Sequence, residues 1–454
     1  MAGQKHQKPV KFNKLLIITA ALAAGLAAAS CAVDQDMFPA TDNTGDDTEE
    51  EVGSGTGTET VSEAGAVIPE GMASLARVYI DTPYGSGITS KSEWVRFCNI
   101  RITGDADTLL FAQDSLKIRG RGNSTWRDYE KKSYYFKLNR KADLLGTGKS
   151  RKWVLLANWM DRTLLRNDVA FEAARRTSLE WTPSGTFVEL YLNGEHQGNY
   201  WLGEKINVEG SKFTADYLFS LDTSDSSEWD YSISCGYRPN SRKTGLPVEV
   251  KYPDRDDFEA AQWSSLLSDS KKLLESIGKA CYTSDYASVI DVDSFCDWIL
   301  VHELCYNLEP NHPKSCFFHV RDGKMYAGPV WDFDWATFTP DRDYLELGGC
   351  LWFDEDHGGL YGDAAFVKRL KERWAALKPQ FESLGSYIDA RAEMIRESES
   401  VNHDMWPCYP NPLSEDYSGM VNHDERMNFT QAVNRMKSAL AARIVSMDGE
   451  IAAL

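Results

Sequence analysis

The feature that most limits what this chain can become is an apolar run, Met325-Tyr-Ala-Gly-Pro-Val330, closed by Trp331-Asp-Phe-Asp334. The run predicts a buried strand. Two carboxylates one residue apart, set among Trp331, Phe333 and Trp335, are costly at such a strand end unless a partner neutralises them. A divalent cation is the usual partner of paired aspartates; a hydrogen-bonded turn at the strand end is the other reading. About 20 residues upstream stands a second polar cluster, Asn307-Leu-Glu-Pro-Asn-His-Pro-Lys314. A loop with a candidate base, a short hairpin and then a metal-type aspartate is a common layout of phosphoryl-transfer sites.

The first 70 residues are expected to lie outside the fold. Lys5, Lys8, Lys11 and Lys14 precede an apolar, alanine-rich stretch from Leu15 to Ala29. This predicts a secretory signal over residues 1–31, too short and wrongly flanked for a membrane span. Ala28-Ala-Ser-Cys31 resembles a bacterial lipobox, with alanine where leucine is more usual. Cys31 is therefore the expected lipidation site; ordinary cleavage beside an incidental cysteine is the alternative. Residues 32–70 read as a disordered, acidic Gly/Ser/Thr tether. Between 32 and 66 there are ten acids and no base, and such a stretch cannot bury enough apolar surface to order itself.

The formal charge is −19. Removing the four signal lysines makes it −23, and ten of those negatives belong to the tether, which leaves a folded part near −13. That balance argues against nucleic acid as a partner. The eight cysteines beyond Cys31 fall at irregular spacing and spell no disulfide framework.

About 385 residues remain, enough for one large two-lobed domain or two ordinary ones. Residues 71–205 are strand-rich, with Ala76–Ile80, Val95–Ile102, Ser115–Ile118, Ser133–Leu138 and Trp153–Leu156 short and β-branched or aromatic. One helix interrupts them, with Asp161 as expected N-cap and Leu164, Leu165, Val169, Ala170 and Ala173 at helical spacing through Arg175. Asn193-Gly194 between two apolar runs predicts a hairpin. Residues 206–454 are mainly helical. Strands and loops over 212–252 suggest an inserted β hairpin, and helices are expected over 256–279, 291–306, 364–377, 384–398 and 424–454.

Several constellations carry candidate chemistry. Arg119-Gly-Arg-Gly-Asn-Ser-Thr125 reads either as a surface turn or as a loop laying backbone N–H groups and guanidiniums over phosphates. Lys131, Lys132 and Lys137 follow; Lys137 alternates with Tyr135 and suits a phosphate clamp or a solvated strand face. Gly146-Thr-Gly-Lys-Ser150 is not a P-loop, because Asp143 stands where the leading glycine is required. Glu309 precedes Pro310, which holds its backbone extended, and Asn311 with His312 offers a metal or substrate contact. A rival reading makes His302, Cys305, His312, Cys316 and His319 zinc ligands, though their spacing matches no standard site.

Four of these motifs resemble the spore-coat protein H (CotH) kinase family. They are Arg119–Trp126 with Lys131-Lys-Ser-Tyr134, Asn158–Asn167, Val188–Tyr200 and Gly328–Asp334, in order along residues 76 to at least 340. The resemblance implies an α+β, two-lobed, atypical protein-kinase-like fold, with a β-rich N-lobe holding one helix and a mainly helical C-lobe. It implies that Lys132 or Lys137 holds ATP phosphates together with Arg119, Arg121, Asn123 and Ser124. Glu204 and Ile206 would lie at the adenine hinge, and Arg166 would join an ion-pair network behind the nucleotide. Asp332 and Asp334, with Asn311, would carry magnesium or manganese. Glu309 stands where spore-coat members carry a catalytic aspartate, one methylene longer.

These readings converge on an exported, lipid-anchored kinase of the outer membrane or cell surface of a Gram-negative-type bacterium. It would act as a monomer and transfer the γ-phosphate of ATP to Ser or Thr of a surface or exported protein. The alternative is a catalytically weak or inactive kinase-fold module that recognises a ligand or glycan. A glycoside hydrolase is disfavoured, because same-strand carboxylates two residues apart point the same way and do not bracket a bond.

Overall fold

The computed structural model describes residues 68, 72–208, 212–223, 226–234, 245–339, 348–354, 358–407 and 422–454. The expected signal, Cys31 and all of the 32–70 tether except Ile68 lie outside that set. The first seven strands are β1 (Ala76–Asp81), β2 (Val95–Thr103), β3 (Leu109–Arg121), β4 (Ser133–Ala142), β5 (Ser150–Leu156), β6 (Gly185–Leu192) and β7 (Glu195–Glu204). They close into a barrel in the order β1-β2-β3-β4-β5-β7-β6. All neighbours are antiparallel except β1 and β6, whose parallel pairing, Val78 opposite Leu190, seals the ring. Alternation fills it: Val78, Ile80, Ile100, Ile102, Ile118, Phe136, Leu138, Trp153 and Leu155 are buried inside. Each such side chain stabilises by about 1.5–3 kcal/mol. The intervening residues of β3, β4 and β5, among them Arg119, Arg121 and Tyr135, face outward, and it is this outer face that builds the site. The β6–β7 turn holds Asn193 and Gly194, both at positive φ (50° and 82°), the geometry that Asn-Gly supplies at least cost.

Two helices accompany the barrel, a short α1 (Ser124–Asp128) and α2 (Arg166–Arg175). Asp161 does not cap α2. Leu164 adopts φ +60° and interrupts the helical path, so α2 starts at Arg166, whose N–H donates to Asp161 Oδ2 at 2.8 Å.

The chain then forms β8 (Tyr217–Leu221), β9 (Tyr231–Ile233), β10 (Leu246–Tyr252), β11 (Cys316–Arg321) and β12 (Lys324–Ala327), a sheet of order β12-β11-β8-β10-β9. Residues 212–252, the stretch suggestive of an insertion, supply three of its five strands. Helices α3 (Ala260–Ala280), α4 (Val292–Leu304), α5 (Ala364–Glu382), α6 (Leu384–Met405) and α7 (Phe429–Ala453) complete the fold. Asp291 caps α4 by accepting from Ser294 N at 2.9 Å, and every residue of α4 from Ser294 to Leu304 is buried. Such a helix is the centre of a core. A second apolar cluster joins α2, the five-stranded sheet and these helices.

The architecture is mixed α+β, β-rich at the N-terminal end and helical towards the C-terminal end. The expected two-lobed kinase-like outline needs correction: the β-rich part is a closed seven-stranded barrel, because the β1–β6 pairing leaves it no free edge.

Candidate active site

One cavity of about 580 Å³ opens between the outer face of the barrel and the five-stranded sheet, a size suited to a small-molecule ligand. It brings together Arg119, Arg121 and Asn123 of the β3–α1 turn, Glu309 of the loop after α4, and Asp332 and Asp334 beyond β12.

Packing of the aromatics sets the acid wall. Trp331 stacks on Phe171 at 5.5 Å and Phe333 lies 5.0 Å from the His302 ring, while Asp332 and Asp334 line the cleft. The backbone is held from three sides. Asn167 Oδ1 accepts from Phe333 N at 2.7 Å, Asn307 donates to Asp332 O at 3.4 Å, and Asn422 donates to Asp334 O at 2.9 Å. Asp332 has φ +70°, a left-handed conformation that a non-glycine residue keeps only when its surroundings impose it.

The Asp332 carboxyl lies near enough to Asp334 to disfavour its charge. Asp332 is open to water within the cleft, yet the walls shut out bulk solvent and its carboxylate still loses hydration. That burial pushes the Asp332 carboxyl above the usual range; Glu309 and Asp222 push it further, while Arg121 opposes them. Burial and then Asp332 itself push Asp334 well above its ordinary value. Ser315 Oγ donates to Asp332 Oδ2 at 3.3 Å. Acids that raise each other and find one nearby guanidinium leave room for a divalent cation. Among the described residues no three His, Cys, Asp or Glu side chains form a closed metal cage. A magnesium-type site meets that limit, since it takes one or two carboxylates and fills its remaining positions with water and phosphate oxygens.

Glu309 opens a single 3-10 turn, Glu309–Asn311. Tyr306, at φ +56°, ends α4, and Asn307 Oδ1 accepts from Glu309 N at 3.0 Å. Glu309 is 8 % exposed, lines the cleft, and its Oε1 lies 3.7 Å from His312 Nε2. Asn311 is buried and does not line the cleft.

On the opposite wall Arg121 stands over Trp331 at 5.3 Å. Burial lowers its pKa, against the pull of Asp332 and Asp334. Arg119 lies over Trp94 at 4.7 Å, and Asn123 accepts from Lys91 Nζ at 2.8 Å. The turn requires its glycines. A Cβ on Gly120 would come within 2.3 Å of Trp126, and one on Gly122, at φ +99°, within 2.0 Å of Thr125 Oγ1. Ser124 starts α1; its side chain lies outside the described set.

Other candidate residues sit elsewhere. Lys132 donates to Trp126 O at 2.6 Å, and Lys137 lies in register with Lys117 and Lys152 across the barrel sheet; neither lines the cleft. Lys131 lines it, but its ammonium is spent on Ala157 O at 2.9 Å and on Asn199 O, and burial pushes it down to about 7. Arg166 is buried between Asp161 and Asp424. Glu204 is buried 2.7 Å from Lys212 Nζ, its carboxyl raised by burial against that lysine's pull, and Ile206 is buried beside it in the chain. His302, Cys305, His312, Cys316 and His319 form no metal cluster among the described residues. The 146–150 loop turns its amides inward: Asp143 accepts from Leu145, Gly146, Thr147 and Gly148 N–H, so a carboxylate already fills the place a phosphate would take. Sequence reasoning missed Asp222, Lys205 and Lys251 and gave Lys314 no role of its own within the Asn307–Lys314 cluster; all four line the cleft. Lys205, directly after the aromatic strand β7, and Lys314, at the end of the Asn307–Lys314 cluster, carried a local signal.

Fold and cleft together define a mixed α+β protein with paired carboxylates facing arginines across one polar cavity. The family described as CotH kinase protein matches residues 118–447. The chain belongs to that family, and the match takes in every cleft residue from Arg119 to Trp335. A search among curated proteins found no match.

Proposed function

We propose that the protein is an ATP-dependent kinase that phosphorylates Ser or Thr of a surface or exported protein. The observation that carries this reading is the convergence of Asp332, Asp334, Glu309 and Arg121 on one cavity. In this reading the barrel takes the place of a kinase N-lobe, and the five-stranded sheet with its helices takes that of the C-lobe. Arg119, Arg121 and the N–H groups of the 119–123 turn bind phosphate oxygens by charge-assisted hydrogen bonds. Glu309 accepts the proton of the substrate hydroxyl as that oxygen bonds to the γ-phosphorus and the β,γ-bridging oxygen leaves with ADP. Asp332 and Asp334 would hold the magnesium or manganese ion, which supplies charge neutralisation at the transferring phosphoryl group. Trp331 and Phe317, lining the cleft, exclude water that would otherwise compete with the hydroxyl.

Location rests on sequence alone. The basic and apolar start of the chain and the Cys31 motif support export and a lipid anchor at the outer membrane or cell surface; no described helix is long and apolar enough to cross a membrane. One observation favours a second reading, a kinase-fold module of weak turnover: Glu309 is nearly buried and engaged with His312.

Incubation with γ-labelled ATP and magnesium is expected to label the protein or an added Ser/Thr substrate. An Asp332→Ala, Asp334→Ala double variant is expected to lose about a thousandfold in rate, as several kcal/mol of transition-state stabilisation disappear. Undiminished labelling in that variant ends the kinase reading. ATP affinity without labelling in the wild type selects the weak-turnover module.

A further inference from the structure

Lys205 follows the last residue of β7 and lines the cleft, and among the described residues no carboxylate pairs with it. Its ammonium lies 5.3 Å from the centroid of the Tyr135 ring, and the Arg119 guanidinium lies 5.4 Å from the same centroid. Two cations share one aromatic ring. Arg121, two residues along β3 from Arg119 and so on the same face, adds a third, and Lys251 of β10 a fourth from the facing sheet. These cations are not equally satisfied. Lys251 is paired with Glu249, Arg119 donates to Ser92 O at 3.4 Å, and Arg121 feels Asp332 and Asp334. Lys205 has chiefly neighbours of its own sign. Burial first, then Lys251, Lys152, Arg121 and Arg119, push it down to about 7. Three elements of the barrel and one strand of the facing sheet thus crowd positive charge into a cavity, an arrangement that an anion relieves.

We propose that Lys205, with Arg119 and Arg121, forms a subsite for a phosphate group, and that Lys205 takes up a proton when the ligand binds. The inference rests on the nucleotide reading of the cleft but is separable from it, because inorganic pyrophosphate presents the same chemistry as the phosphates of ATP. A bound phosphate favours the ammonium form, so uptake is greatest above neutral pH and vanishes near pH 6, where Lys205 is already charged. Affinity accordingly falls as pH rises through 7 to 8.5. The groups that set this titration are Lys152 on β5, Arg119 and Arg121 on β3, Tyr135 on β4, and Lys251 with Glu249 on β10.

The test is calorimetric titration of the full chain with magnesium-ATP, magnesium-pyrophosphate and adenosine, in two buffers of different ionisation enthalpy. Wild type is compared with Lys205→Met and Lys205→Arg. Lys205→Met is expected to weaken ATP and pyrophosphate alike, by about tenfold to a hundredfold as a charged hydrogen bond is lost, and to leave adenosine unaffected. Lys205→Arg is expected to keep the affinity and lose the proton uptake at pH 8, since a guanidinium stays charged. Subtracting the Lys205→Arg result removes the ligand's own protonation. Pyrophosphate and ATP binding as wild type in Lys205→Met overturns the subsite and leaves the kinase reading standing. Pyrophosphate binding that depends on Lys205, without ATP binding, keeps the subsite and removes the nucleotide. Wild type binding neither overturns both. Should Lys205→Met fail to fold, undiminished uptake in Lys205→Arg overturns the proposal.

Discussion

Asp168 is buried and Asp334 half-buried at the cleft, and the chain treats them in opposite ways. Asp168, on α2, accepts from Trp201 Nε1 at 2.9 Å, Tyr387 Oη at 2.8 Å, Arg391 Nε at 2.8 Å and Arg391 Nη2 at 3.1 Å. Burial alone would raise its carboxyl, yet Arg391 more than offsets that and holds it below the ordinary range. Asp334 meets burial with no such set of donors; burial, then Asp332 and Asp161, push its carboxyl up, and Arg121 is the opposite charge near it. Each region contains arginines and aspartates. The difference lies in whether the charges close on one another. Around α2 they do: Arg166 with Asp161 and Asp424, Arg162 with Glu399, Arg391 with Asp168. In the cleft they stay open, which is what a site awaiting a charged ligand requires.

The comparison breaks most visibly if Asp168 is dispensable. Asp168→Ala leaves the Arg391 guanidinium largely buried and without its partner, a change worth about 3–5 kcal/mol of folding stability. Denaturant unfolding followed by tryptophan fluorescence reads this directly. A loss under about 1 kcal/mol would place the α2 network among the weak ion pairs of exposed surfaces and remove the distinction drawn above.

The cleft should respond to a cation rather than to mutation. Asp332 and Asp334 both have carboxyls raised in the folded state, so from the unfolded aspartate value near 3.8 upward the folded protein holds more protons than the unfolded one. Stability contributed by this pair is complete below that pH and is lost as pH rises through the folded values. Magnesium alone, without nucleotide, is expected to reverse the trend. At a hundredfold its Kd it stabilises by about 2.7 kcal/mol, more strongly at pH 8 than at pH 5. An Asp332→Asn, Asp334→Asn variant should unfold with a flatter pH dependence and no response to the ion. Thermal unfolding at several pH values checks all three outcomes, and an ion response that survives in the variant places the metal elsewhere.

What the sequence reveals of this depends on how far apart the deciding residues stand. The period-2 pattern of β3 and β4, the Asn193-Gly194 turn and the apolar faces of α4 to α7 are local, and each predicts its element, although β3 begins six residues before the expected Ser115 and α6 runs seven beyond the expected 398. Asp332 with Asp334 is legible as a pair because the two acids stand one residue apart among aromatics, but what aims them is not strand alternation: β12 ends at Ala327 and Asp332 is left-handed. Closure of the barrel is not local: it needs β1 to find β6 more than 100 residues away, and nothing in either strand announces a parallel partner. Distance also hides the basic wall. Lys205 and Lys251 belong to different sheets, and only folding sets them beside Arg119. The Asp143 carboxylate shows the reverse case, where the residue that spoils a P-loop pattern is the one that satisfies the loop's amides.

The smallest expected effect sharpens the contrast at the level of single lysines. Lys132 and Lys205 are both cations near the 119–123 turn, and composition cannot separate them. Lys132 spends its ammonium on Trp126 O at 2.6 Å, 5.7 Å from that same indole ring. It therefore fastens α1 against the barrel, where Trp126 covers Gly120. Lys132→Met should cost about 1 kcal/mol, the net worth of one hydrogen bond, partly regained by packing of the methionine stem against the indole. Nucleotide affinity should stay at the wild-type level, because the lost charge was already satisfied by a carbonyl and does not line the cavity. An affinity loss as large as that of Lys205→Met would mean that Trp126 and α1 release Lys132 to the ligand, and that the closed and open charges of this protein exchange roles on binding.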